Sequence, residues 1–155
     1  MTTLYIGIGN RLRRDDGAAL ALADRLRAHN IPGLEIIEAT DDVIRLVDLW
    51  TSYDLVIIAD AVSAGEEPGT LHRRDPVMCP LPRHWFGVSS HQLGVAEAIE
   101  LGRAMRRLPG HVLFIGIEGR DFGHGEGLTE EVERSLPIAC ELVRAEQAAY
   151  STSEA

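Results

Sequence analysis

Short apolar runs alternate along this chain with stretches whose apolar residues recur at helical spacing. Leu4 to Ile8 reads as a strand that gives way to Gly9-Asn10. Ala18 to Leu26 is rich in alanine and leucine, with Leu20, Ala23 and Leu26, or Leu22 and Leu26, on a common face, which predicts a helix. Leu34 to Ile37 predicts a second strand, and Val43, Leu46, Val47 and Trp50 line one side of a short helix. Leu55 to Ala59 is apolar without interruption, as expected of a strand buried on both faces of a parallel sheet.

The pattern then loosens. Gly69 to Arg73 fits a short edge strand, and Pro76 to Trp85, with Pro76, Pro80 and Pro82, reads as an irregular loop. Helical spacing returns from Leu93 to Met105 and closes at Pro109-Gly110, before a further buried strand from Val112 to Ile117. Thr129 caps a last helix whose first turn carries Glu130, Glu131 and Glu133, matched to the positive end of the helix dipole. Pro137 is expected to kink or restart that helix, which then runs to about Tyr150. Strand and helix in alternation predict an α/β fold: a three-layer α/β/α sandwich around a twisted, mostly parallel five-stranded sheet. Residues 1–150 are expected to form one domain, with 151–155 as a disordered tail.

Composition narrows the chemistry. All 15 basic side chains among the 155 residues are arginine, so Schiff-base lysines, pyridoxal attachment and a lysine-bearing P-loop are excluded. Against them stand 24 acidic residues, a net charge of -9, which argues against a nucleic-acid or anionic-membrane partner. The short arginine groups, Arg11, Arg13 and Arg14 and Arg103, Arg106 and Arg107, read as solvated surface. No apolar run is long enough to span a bilayer and no signal pattern opens the chain, so a cytoplasmic protein is expected. Cys79 and Cys140 form no disulfide framework or metal-spacing motif, and Cys140 reads as a small buried hydrophobe.

In such folds ligands bind beyond the carboxyl ends of the strands. Asn10, Asp15, Asp16 and Gly17 follow the first strand, Asp60 ends the third, Glu118 follows the last, and His91 stands at a helix start facing the same edge. Asp15 or Asp16 alone suits a helix cap. Asp60, ending an apolar strand, needs a partner for its charge. His29 and His111 are expected to be exposed; His72, His84 and His124 lie in loops that border the site in one reading and are surface groups in the favoured one.

Three readings compete. Gly7-Ile-Gly9 after a strand suggests dinucleotide binding, but Leu12 stands where the third glycine belongs and two aspartates would repel a phosphate. Paired aspartates after the first strand and one ending the third match a phospho-receiver layout, yet the lysine such domains use is absent. A transition-metal site of Asp16, Asp60 and His91 suits zinc or nickel better than calcium and leaves coordination positions open.

The residues also carry a resemblance. Gly7-Ile-Gly9-Asn10-Arg-Leu-Arg-Arg-Asp15-Asp16-Gly17, Leu55-Val-Ile-Ile-Ala-Asp60-Ala61, Pro68-Gly69-Thr70 and Ser90-His91-Gln92-Leu93-Gly94 occur in order. Phe114-Ile-Gly116-Ile-Glu118 and Gly125-Glu-Gly127-Leu128-Thr129 complete the set. Together they resemble the hydrogenase maturation endopeptidases, the nickel-dependent family that trims the large subunit of nickel–iron hydrogenases. The resemblance implies catalytic and metal-ligating roles for Asp16, Asp60 and His91, and a hydrogenase large-subunit precursor as partner, acted on by a monomer. Nickel, delivered with that precursor, is the implied metal; other divalent transition metals would fit. Two roles are open to the carboxylates: activating water, or anchoring a metal that polarises the carbonyl. Asp15 stands as an indirect partner of the site or a helix cap, and Glu118 as a neighbour.

The sequence departs from the family pattern twice. Glu38-Ala39-Thr40-Asp41-Asp42 replaces an Asp-Gly-Gly stretch associated with substrate choice, and Ala18-Ala19 replaces a second glycine after Asp16-Gly17. A relative that binds a metallated partner without cutting it is the reading outside the enzyme class.

Overall fold

The computed structural model describes residues 2–40, 44–87 and 94–153. Five strands form one sheet in the order β2-β1-β3-β5-β4. They are β1 (Thr3–Ile8), β2 (Leu34–Ala39), β3 (Leu55–Val62), β4 (Leu71–Arg74) and β5 (Val112–Glu118). β1 pairs in parallel with β2 and β3, and β3 with β5; β4 runs antiparallel along the outer side of β5. The predicted sandwich with a mostly parallel sheet is the observed one.

The apolar runs identified above build the centre. β1, β3 and β5 are buried along their whole length, as strands covered on both faces must be. On one face, Leu4, Ile6, Val56, Ile58 and Phe114 pack against α2 (Leu46–Leu49) and α3 (Val95–Ala104), with Trp50 and Trp85. On the other, Tyr5, Ile57, Leu113 and Ile115 pack against α1 (Ala18–Ala28) and α4 (Glu130–Ser153). Leu22 and Leu26 of α1 face inward as their spacing requires, and both are fully buried. Among the described residues no helix is long and apolar enough to cross a membrane.

Element ends differ from expectation in ways that matter for the site. β3 continues through Asp60 to Val62, because the β5 ladder reaches from Val56↔Val112 to Val62↔Glu118. Asp60 is therefore a strand residue, paired to Ile8 on one side and Gly116 on the other. The expected helix from Val43 to Trp50 shortens to Leu46–Leu49 followed by a 3-10 turn, Trp50–Ser52, and Val43 lies outside the described residues. α4 is continuous across Pro137 and extends to Ser153, so residues 151–153 of the expected tail are helical. The Ser151 and Thr152 hydroxyls donate to the carbonyls of Gln147 and Ala148 one turn earlier.

Candidate functional site

β1 lies between β2 and β3, and the chain leaves it first towards β2, then crosses to β3 on its other side. The connections from β1 and β3 thus diverge at the carboxyl ends of this pair, the switch point where open α/β sheets place ligands. Asp16 and Asp60 stand at that switch point. Asp60 arrives on β3 opposite Ile8, the last residue of β1. Asp16 belongs to a 3-10 turn, Arg14–Gly17, between β1 and α1.

The loop carrying Asp16 folds back on itself. The Asn10 N–H donates to the Asp16 carbonyl at 3.3 Å, the Arg13 N–H to the Asn10 carbonyl at 3.1 Å, and the Asp16 N–H to the Arg13 carbonyl at 3.0 Å. Gly9 makes this closure feasible. Its φ is +152°, and a Cβ there would lie 2.0 Å from the Asp16 carbonyl oxygen. Gly7 has a related task, since a Cβ on it would sit 2.7 Å from the Ala19 carbonyl oxygen. The two glycines that suggested dinucleotide binding instead bring the Asp16 turn and the start of α1 against the end of β1.

The electrostatics follow from burial. Asp60 is 9% exposed, and its carboxyl pKa lies well above the usual value through desolvation and the neighbouring charge of Asp16, opposed by the Ala61 N–H. Asp16, half-buried, is also raised by desolvation, with the Asn10 backbone and the Arg13 guanidinium favouring its ionised form. Like charge and desolvation, full at Asp60 and partial at Asp16, work against ionising both carboxyls, and a cation would relieve that. Their oxygens suit a divalent metal, and a nearby imidazole would turn the preference towards transition metals. His91, predicted as the third member, lies outside the described residues, as do Asp41 and Asp42. Among the described residues no group of three or more histidine, cysteine or acidic side chains gathers in a metal-holding arrangement.

Asp15, adjacent to Asp16, does something different. It is fully buried and accepts four hydrogen bonds: from the backbone N–H groups of Arg120 (2.8 Å), Asp121 (3.0 Å) and Thr129 (2.8 Å), and from the Thr129 hydroxyl (2.8 Å). Burial works against its charge, but these donors outweigh it and hold the carboxyl below the usual range. Asp15 clamps the Asp16 loop to the loop between β5 and α4. Backbone bonds between Arg14 and Gly125 and between Gly125 and Leu12 complete the seam.

Glu118 and His72 were not paired by sequence reasoning, and His72 was expected at the surface. The structure corrects this. His72 is 8% and Glu118 3% exposed, with His72 Nε2 2.9 Å from Glu118 Oε1. The Glu118 carboxylate also accepts the Ala64 N–H at 2.9 and 3.1 Å. The His72 ring packs on Trp85, centroid to centroid 4.8 Å, and the Arg74 guanidinium lies 4.9 Å from the same indole. His72, Gly116 and Asp60 occupy one row across β4, β5 and β3. A Cβ at Gly116 would meet Val62 at 3.1 Å and Phe114 at 3.2 Å, so apolar side chains fill the middle of that row. The pair therefore fastens β4, the loop after β3 and Trp85 together. No alternation in Leu71-His-Arg-Arg marks it: His72 is buried while Arg73 and Arg74 after it are both exposed.

Glu38, at the end of β2, is held by Arg11 (2.9 Å) and Arg27 (2.6 Å). Cys140 is buried, as read from its surroundings, and Cys79 is exposed.

Comparison with known proteins places this geometry among relatives. The family described as HycI, hydrogenase maturation protease, matches residues 18–146. The hydrogenase 2 maturation protease of Escherichia coli K12 is 30% identical over 149 residues, covering 94% of this chain and 90% of that protein. The hydrogenase expression/formation protein HupD of Thiocapsa roseopersicina is 28% identical over 142 residues, covering 90% of this chain; the chain spans 64% of that relative's length. Among solved structures, the hydrogenase maturating endopeptidase HybD from E. coli superposes with a TM-score of 0.81 at 25% identity, over 97% of this chain and 94% of that one.

Proposed function

The chain belongs to the hydrogenase maturation protease family, and from that premise we propose that it is an endopeptidase removing the C-terminal extension of a nickel–iron hydrogenase large-subunit precursor. The observation that carries the reading is the crowding of Asp16 and Asp60 at the β1–β3 switch point, where both carboxyls are desolvated. Such a pair is costly without a cation, and a precursor bearing nickel would bring one.

In this reading Asp16, Asp60 and His91 recognise nickel in the precursor. Two oxygen donors and one imidazole fit such a metal and leave positions for the precursor's own ligands. The metal supplies Lewis acidity toward a carbonyl oxygen or a bound water. The chain's contribution is placement. The Gly9 turn and the Asp15 clamp fix Asp16, while pairing to β1 and β5 fixes Asp60, so both carboxylates meet an arriving cation without rearrangement. Desolvation, full at Asp60 and partial at Asp16, strengthens the attraction of the pair for a cation.

The test is processing of a purified nickel-loaded precursor, followed by the mass of the released extension. Asp60→Ala and His91→Ala should fold and leave the precursor uncut; unchanged processing by either removes that residue from the ligand set. A wild-type chain that binds the loaded precursor and never shortens it would instead be a metal-dependent binding protein of the same fold.

A further inference from the structure

Arg11 belongs to an arginine group that the sequence reads as solvated surface, yet its side chain is 44% exposed and makes four hydrogen bonds. Its guanidinium grips Asp24 with two nitrogens, Nη1 donating to Oδ2 at 2.8 Å and Nη2 to Oδ1 at 3.2 Å. Nη2 also donates to Glu38 Oε1 at 2.9 Å and to the Leu20 carbonyl at 3.4 Å. Arg27 Nη1 closes the circuit, 2.6 Å from Glu38 Oε2 and 3.3 Å from Asp24 Oδ1. Leu20, Asp24 and Arg27 belong to α1, and Glu38 to β2. An isolated surface ion pair contributes little, but a bidentate arginine within a network of charges is the exception.

The ring matters through the loop that Arg11 belongs to. Arg11 follows Asn10 in the turn that closes on Asp16, and its backbone lies against that turn: a Cβ on Gly17 would come within 3.1 Å of Arg11 Cα. Asp15 fastens the same loop to the segment between β5 and α4. In the sheet, β2 and β5 lie on opposite sides of β1. The loop after β1 is therefore held from both flanks, by Asp15 on one and by Arg11 on the other. The ring also meets an electrostatic requirement. A lone arginine beside a cation site would repel the incoming metal, whereas two arginines with two carboxylates sum to zero charge and fasten the loop without that repulsion.

We propose that Arg11 is a positioning residue of the cation site: through its ring with Asp24, Arg27 and Glu38 it fixes the Asp16 loop against α1 and β2, so that an arriving divalent cation meets the Asp16 carboxylate together with that of Asp60. The inference deepens the reading in which Asp16 and Asp60 receive nickel, and rests on it. Arg11 takes no part in the chemistry and acts only through Asp16. A donor held in place before the metal arrives loses affinity when its support is loosened, even where the donor itself is kept.

The experiment is calorimetric titration of the full chain with nickel ion alone, with thermal unfolding to confirm that each variant is folded. Arg11→Met removes both charge and fork, and Arg11→Lys keeps the charge but loses the fork. Arg73→Met is the control, since it breaks a comparable surface pair, Arg73–Glu146, on β4 at the other edge of the sheet. Arg11→Met should weaken nickel binding about fivefold, Arg11→Lys should fall between it and wild type, and Arg73→Met should match wild type. In an Asp16→Ala background Arg11→Met should have no further effect, because the residue it acts through is gone. The sign discriminates: an arginine acting only as a charge would, on removal, tighten the binding of a cation. Tighter or unchanged binding in Arg11→Met overturns the assignment, as does a loss of the same size in the Asp16→Ala background or in Arg73→Met. If Asp16→Ala binds nickel as wild type does, or wild type takes up none, the metal reading falls and the positioning role with it. If Asp16→Ala weakens binding and Arg11→Met does not, the metal reading stands and only the positioning role fails.

Discussion

Thr129 donates to Asp15 twice, through its backbone N–H to Oδ1 and through its hydroxyl to Oδ2, each at 2.8 Å. The residues are separated by 114 positions, and the contact ties the loop before α1 to the start of α4. Thr129 looked like a helix cap and Asp15 like either a cap or an indirect partner of the site. Together they are the fastening that holds Asp16 in place.

Asp15→Asn should therefore be costly although it preserves shape. The amide nitrogen would face N–H donors, leaving buried donors unmet at a cost of about 2–3 kcal/mol. A Tm drop of about 4–10 °C is expected for a chain of this length, read by calorimetry. Because the Asp15 carboxyl is held below its ordinary range, its stabilisation is present above the unfolded pKa and lost as pH falls through the folded value. The gap between wild type and variant should narrow in acid. A gap that widens there would show that the carboxylate is not the stabilising form.

Asp60→Asn should act in the opposite direction on the metal-free protein. The Asp60 carboxyl binds its proton more tightly in the folded chain, so this group's contribution favours folding at low pH and is lost as pH rises through the folded pKa. The neutral amide escapes that loss. A gain of about 1 kcal/mol, or about 2–4 °C in Tm, is expected at pH 8, with less at pH 5. The same variant should lose its response to added nickel. Thermal scans with and without the metal read both effects.

Gly9→Ala tests the loop closure. A methyl group 2.0 Å from the Asp16 carbonyl oxygen cannot be accommodated, and the backbone at φ +152° disfavours a side chain in any case. Relief requires the Asp16 turn to move away from β1. The expected outcome is a stability loss of about 2–4 kcal/mol with weaker nickel uptake, followed by denaturant unfolding and by titration of the metal.

The buried His72–Glu118 pair should show strong coupling. His72→Leu leaves the Glu118 carboxylate with the Ala64 N–H but without its histidine, a loss of about 1–3 kcal/mol. Replacing both, as His72→Leu with Glu118→Met, should cost less than the two single changes added together. A double-mutant cycle in urea measures the difference. Additive costs would mean that the contact contributes nothing as a pair.

What could be read from the residues, and what could not, divides along physical lines. β1, β3 and β5 were plain because burial on both faces leaves an unbroken apolar run, and Leu22 and Leu26 marked α1 by their spacing. Asp16 and Asp60 could be placed at one sheet edge because topology fixes which strand ends meet. The His72–Glu118 pair was hidden, since Arg73 and Arg74 make the segment look like surface and its partner lies 46 positions away. Asp15 and Asp16 are neighbours of the same type, and only the long-range donors from Arg120, Asp121 and Thr129 separate clamp from site. The end of α4 was not legible because a serine- and alanine-rich end suggests fraying, whereas the Ser151 and Thr152 hydroxyls bond back to carbonyls in the preceding turn.

The pairing of Ile8 with Asp60 has a consequence for the order of events in the chain's life. Asp16 and Asp60 are remote in sequence and come together only when β1 and β3 register in parallel, a non-local step that forms late and slowly compared with the helices. A chain with α1 formed but β3 not yet docked offers one isolated carboxylate to a passing cation. The pairing of the two carboxyls is thus a product of completed folding: the rim that holds both does not exist until β1 and β3 have registered.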